Sequence, residues 1–131
     1  MTAEERIHEN AELALDKLRP LSQMGMHFGY NRESVQWVEE FIERQRTEPD
    51  FTAVSATELT QALGSYLGEC VIRTYGGSWK QEDGSWYVSF DDERAVYPFD
   101  KVRKQIDNGL QGGESILGFF DMIGFVVLGS R

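Results

Sequence analysis

Cysteine is almost missing from this chain. Cys70 stands alone in 131 residues, so no intramolecular disulfide can form and nothing points to an oxidising compartment. Histidine is nearly as scarce. His8, His27 and Cys70 fall in separate stretches, without the three or four ligands at helical or turn spacing that zinc requires. Lysine and arginine number 13 against 22 aspartates and glutamates, a formal net charge of -9. Phosphate binding depends on a cationic excess, so nucleic acid is not an expected partner.

Other absences narrow the field further. Met1 to Asn10 is rich in glutamate and lacks the apolar stretch of a signal peptide, so the cytoplasm is the expected location. The apolar stretch from Ile116 to Leu128 is broken by Gly118, Asp121 and Gly124 and falls short of the roughly 18 residues of a membrane span. It reads as core, with no membrane partner expected. Gly76-Gly77-Ser78-Trp79-Lys80 holds glycines and a lysine, but it leaves a helix instead of opening one, so no helix N-terminus faces a phosphate there. Asp91, Asp92 and Glu93 bunch carboxylates without the alternating ligands and later bidentate glutamate of a calcium loop. No metal, no cofactor, no catalytic residue, no internal repeat and no low-complexity tract is read from the chain. A Cys-His or Ser-His-Asp site could assemble only in space, since no local motif supports one.

What is present suffices for a folded core. Apolar residues make up 40% of the chain and aromatics 12%, too many for a disordered segment. The expected organising element is a helix. Ser55 lies three residues before Glu58, the spacing of a capping box, which predicts a start near Ala56. Leu59, Ala62, Leu63, Tyr66, Leu67, Cys70 and Val71 then recur at steps of three and four and mark a buried face that ends at Gly76-Gly77. Gly64 and Gly68 share a stripe beside that face. Each costs about 1 kcal/mol relative to alanine, so either another element packs closely there or the stripe is a bare groove for a ligand. Glu69 and Arg73 have the order of a solvated helical ion pair.

Before it, Ile7, Ala11, Ala14, Leu15 and Leu18 predict a helix from about Thr2 to Leu18, stopped by Pro20. An apolar loop with Met24, Met26, His27 and Phe28 follows. Asn31 is placed to cap a second helix reaching about Arg46, with Val35, Val38, Phe41 and Ile42 inward and Glu33, Glu39, Glu40 and Glu43 on exposed sides. After Gly77 the spacing turns to alternation. Trp79, then Trp86, Val88 and Phe90 around Asp83-Gly84, predict a hairpin. Arg94 to Tyr97 adds a third strand ended by Pro98. Asp100 is placed to cap a helix holding Val102 and Ile106 inward, with Lys101, Arg103 and Lys104 as a local basic patch and Asn108-Gly109 at its end. Ile116, Leu117, Phe119, Phe120 and Ile123 suggest a short buried helix, and Phe125 to Leu128 a closing strand.

Leu63-Gly64, Leu67-Gly68-Glu69, Gly76-Gly77 with Trp79, Tyr97-Pro98-Phe99 with Lys101-Val102, Asn108-Gly109 and Glu114-Ser115-Ile116 together resemble a family of small bacterial domains of unknown function. The resemblance spans the C-terminal two thirds. It implies a compact α+β domain in a bacterial cell and carries no catalytic residues. The order of elements is more loosely similar to bacterial toxin-immunity proteins, in which an acidic domain commonly covers a basic nuclease.

The expectation is therefore one α+β domain over residues 1-131. Residues 1-48 form a helical pair, and residues 55-131 supply a helix, a β-meander and a C-terminal helical unit. N-terminal helices pack on a small, mostly antiparallel sheet. The leading functional expectation is a non-enzymatic acidic protein, immunity-like, that binds a basic protein through Glu33, Glu39, Glu40, Glu43, Asp91, Asp92 and Glu93. The alternative is a small-molecule-binding domain or enzyme with a pocket between the Gly64/Gly68 stripe and the Met24 to Phe28 loop, drawing on His27, Glu69 and Arg73. A homodimer through the sheet edge or the apolar C-terminus is a third reading.

Overall fold

The computed structural model describes residues 1-128. Helix α1 spans Ala3–Ser22, α2 Arg32–Arg46, α3 Ala53–Tyr75, α4 Pro98–Asn108 and α5 Ile116–Leu128. Strands β1 (Ser78–Glu82), β2 (Ser85–Ser89) and β3 (Ala95–Val96) form one antiparallel sheet in the order β1-β2-β3. The architecture is α+β, with helices packed on a small antiparallel sheet.

Helix α1 starts where the Thr2 hydroxyl accepts the Glu5 amide at 3.1 Å. It does not stop before Pro20. The helix runs through that proline to Ser22 and ends at Gln23 with φ 60°. Proline removes one amide donor from a helical ladder, a loss that a final turn tolerates better than a middle one. Helix α2 begins as its sequence predicts, with Asn31 Oδ1 accepting the Ser34 amide at 2.9 Å. Helix α3 begins three residues earlier than the Ser55/Glu58 spacing predicts. Thr52 is the cap, its hydroxyl accepting the Ser55 amide at 3.2 Å, so Ser55 lies inside the first turn.

Every residue from Leu63 to Val71 is buried, so the middle of α3 is enclosed on all sides. Its main neighbours are α1 and α4, and Trp79 of β1 covers Gly68. Leu63, Tyr66, Leu67 and Val71 are fully hidden, and half-buried Leu59 packs against them. The Tyr66 hydroxyl donates to the Gly29 carbonyl at 2.6 Å, which ties the α1-α2 connection to this core.

Gly76 ends α3 with φ 90°, and Asp83-Gly84 turns the hairpin with φ 51° and 81°. Two positive φ values in a two-residue loop match the twist of the flanking strands, which is why an Asp-Gly pair serves there. The register pairs Trp79 with Val88 and Gln81 with Trp86. Strand β3 keeps only Ala95 and Val96 of the expected four residues. Pro98 does more than end it, because it occupies the first turn of α4, where a missing amide costs nothing. Tyr97 precedes it at the cap, and Asp100 instead pairs with Lys104 at 3.0 Å. The expected closing strand from Phe125 to Leu128 is helical: α5 continues unbroken to Leu128.

Candidate functional site

The four glutamates of α2 have different environments. Glu33 and Glu40 are exposed. Glu39, expected on an exposed side, is buried, and its carboxylate accepts from the Ser115 hydroxyl and the Leu117 amide at the start of α5. Glu43 is half-buried and accepts from Gln105 Nε2 at 3.0 Å and from the Leu110 amide at 3.1 Å. Buried Gln105 completes this network, donating to the Glu39 carbonyl and accepting the Ile116 amide at 2.9 Å. Two of the four carboxylates therefore join α2, α4 and α5. The signal was in the spacing, since Glu39 stands four residues after Val35 and three before Ile42, on the apolar stripe itself.

In the β2-β3 turn, Asp91 is similarly engaged. Its carboxylate accepts the Glu93 and Arg94 amides and pairs with the Arg94 guanidinium at 2.8 Å. The hydrogen bond from Arg94 holds the Asp91 carboxyl below the usual aspartate range. Asp92 and Glu93 are exposed. The basic patch of α4 is neutralised: Lys101 pairs with Glu114 at 2.6 Å, Arg103 with Asp107 at 3.2 Å, and Lys104 with Asp100.

The space proposed beside the glycine stripe is filled. A Cβ on Gly64 would lie 2.3 Å from the Phe99 ring, and one on Gly68 would lie 2.1 Å from the Trp79 ring. Close packing, and not a groove, is what the two glycines permit. Glu69 is no solvated partner of Arg73. It is buried, accepts the Trp79 indole N–H at 2.9 Å, and faces His8 Nδ1 at 3.1 Å and Arg73 at 3.6 Å. Arg73 also lies over the Tyr30 ring, 3.9 Å from its centroid, and 3.5 Å from Glu12. His27 is exposed, and its carbonyl accepts from Asn31. Phe28, not His27, carries the loop inward, against Trp37 and Tyr66. The His8, Glu69 and Trp79 node that sequence reasoning missed ties α1, α3 and β1 together. Cys70 is fully buried, and desolvation pushes its thiol up to about 12, away from nucleophilic use.

An open apolar surface lies elsewhere. Ile116, Phe120 and Ile123 point α5 into the core, while Met122, Phe125 and Val126 point away from it, with Phe125 81% exposed. Between α5 and β3 runs a groove of about 270 Å³ lined by Phe90, Val96, Phe119, Met122, Ile123 and Val126, with Glu93 and Arg94 at its polar end. Arg94 Nη1 donates to the Val126 carbonyl at 3.1 Å and so clamps the β2-β3 turn onto α5. Strand β3 is an edge strand, so the sheet edge and the apolar C-terminal helix form one surface. Toward α2, the Arg32 guanidinium holds Asp121 through paired contacts of 2.9 and 2.8 Å. That hydrogen bonding keeps the Asp121 carboxyl below the usual range.

No family model matches the chain, and neither curated proteins nor solved structures give a match. Among the described residues no cluster of three or more His, Cys, Asp or Glu side chains is arranged to hold a metal. Among the same residues no helix is long and apolar enough to cross a membrane.

Proposed function

We propose that the chain is a non-enzymatic interaction protein that docks a basic protein on the face formed by α5, the β3 edge and the β2-β3 turn. The observation that carries this reading is the pairing of an apolar ridge, Met122, Phe125 and Val126, with the Glu93 carboxylate at the end of its groove and exposed Asp92 next to Glu93 in the turn. No cation among the described residues pairs with either carboxylate. Aromatic and methionine anchors surrounded by a charged rim are the usual make-up of an interface centre. Carboxylates in the rim select a partner with lysine or arginine around its own apolar anchor. Glu33 and Glu40 extend the acidic surface on α2, whereas Glu39 and Glu43 are engaged in joining helices. An immunity-type role, in which an acidic domain covers a basic enzyme, is compatible with this chemistry and is part of the proposal.

Affinity capture from the cell that makes the protein tests it, with wild type, Asp92→Lys/Glu93→Lys, Phe125→Asp and Glu33→Lys/Glu40→Lys as baits. The expected result is a basic protein retained by wild type and lost from the Phe125 and turn variants. Retention that survives all of these changes, or capture of an acidic protein, contradicts the reading. Sedimentation of the purified chain at several concentrations separates out the remaining occupant. A two-chain species abolished by Phe125→Asp would assign the ridge to a second copy instead of a basic partner.

A further inference from the structure

Filling the glycine stripe leaves space one layer further out, where Phe99 meets α1 and the hairpin. That cleft measures about 590 Å³, within the range of small-molecule sites. Trp86 of β2, with Tyr97 and Phe99 at the start of α4, supplies aromatic surface, and α1 contributes Arg6, Ile7 and Asn10 across from it. The aromatic side is held at two points. Phe99 rests on Gly64 and against Trp79, with ring centroids 5.7 Å apart, and Tyr97 leans on Tyr87 at 5.4 Å.

Arg6 is distinctive within the described residues. Arg19, Arg32, Arg73, Arg94 and Arg103 are held by carboxylates, Arg46 donates to the Ile106 and Asp107 carbonyls, and Arg44 lies over Trp37. The Arg6 guanidinium has no hydrogen bond, ion pair or ring contact there, while the Arg6 backbone amide donates to the Thr2 carbonyl. The one carboxylate among the described residues of the lining, Asp100, is taken by Lys104. The amides of Asn10 and Gln61, also in the lining, have no side-chain partner among the described residues either.

We infer that this cleft binds a small aromatic monocarboxylate, its ring against Trp86, Tyr97 and Phe99 and its carboxylate on the Arg6 guanidinium. A guanidinium presents parallel N–H donors that match one carboxylate, and aromatic rings take a flat apolar body in offset or edge contact. One negative charge is the limit. Glu4, Glu5 and Glu9 occupy neighbouring positions of α1, so a phosphate ester or dicarboxylate meets repulsion that a single carboxylate, satisfied by Arg6, does not. The site shares no lining residue with the α5 groove, so it stands or falls apart from the proposed docking face.

The test is titration of the full chain with phenylacetate and indole-3-acetate, and with their uncharged amides, while following the Arg6 Nε–H and Trp86 indole N–H resonances. The acids should shift both resonances and bind on the order of tenfold more tightly than the amides, as for a charge-assisted hydrogen bond. Arg6→Gln should remove that preference without lowering the thermal midpoint, and Trp86→Ala should weaken acids and amides alike. The inference is overturned by equal affinity for acid and amide, by an acid preference that survives Arg6→Gln, or by no shift of either resonance at millimolar ligand.

Discussion

A hydrogen atom in place of a methyl group decides how the centre of this molecule packs. Gly68 allows the Trp79 indole to lie directly on α3, and the indole N–H then reaches the buried Glu69 carboxylate. Gly68→Ala gains about 1 kcal/mol of helix propensity, but its methyl group would sit 2.1 Å from an enclosed ring. Overpacking costs about 1–3 kcal/mol, and with so little room the net loss should approach the upper limit these terms leave, about 2 kcal/mol, measured by chemical denaturation. An unchanged or raised stability would show that Trp79 moves freely. That a stripe of two glycines admits something large was legible in the sequence. Which side chains enter it was not, because Trp79 and Phe99 arrive from different elements and no local pattern links them to α3. Cys70, two residues after Gly68, gives a second test. Its unfolded thiol titrates at about 8.5, while burial holds the folded thiol up to about 12. A raised folded value contributes stability below the unfolded range that is lost as pH rises through that window. The thermal midpoint of wild type should therefore fall more steeply above the ordinary thiol range than that of Cys70→Ala, and parallel slopes would exclude the effect.

At the scale of elements, buried polar side chains fix how the helices meet. Glu39 of α2 accepts donors at the first turn of α5, where the helix dipole favours a negative charge. Glu39→Ala should cost about 1–2 kcal/mol, as for loss of a helix cap. Amide exchange in the first turn of α5 should accelerate more than in the middle of α3, and uniform acceleration would argue against a local role. Periodicity identified five helices' worth of apolar spacing and the hairpin turn correctly, and it failed where two readings share one pattern. A continuous apolar run such as Phe125 to Val127 suits a buried strand or one more turn of helix. Length decides, because α5 is already helical and nothing stops it at Gly124. Pro20 and Ser55 misled for the opposite reason: each is a real terminus signal, but Pro20 is tolerated inside a last turn and Thr52 offers a cap three residues sooner.

For the whole molecule, the net charge of -9 is not spread evenly in function. Asp121, Glu39, Glu43, Glu69 and Glu114 hold separate segments together and Asp91 closes its own turn, while Asp92, Glu93, Glu33 and Glu40 remain exposed. The acidic balance was plain from composition, but the division of labour among the carboxylates was not, since it depends on which helix packs against which. Nor did spacing show that the sheet edge and the C-terminal helix form a single face, because Phe125 and Val126 read as strand and not as the outer side of α5. The most direct measurement of the central claim is a resonance map of the chain titrated with the basic partner proposed for it. The account predicts shifts centred on Asp92, Glu93, Met122, Phe125 and Val126. Shifts centred on the α1 carboxylates Glu4, Glu5 and Glu9, with the α5 ridge unmoved, would contradict it.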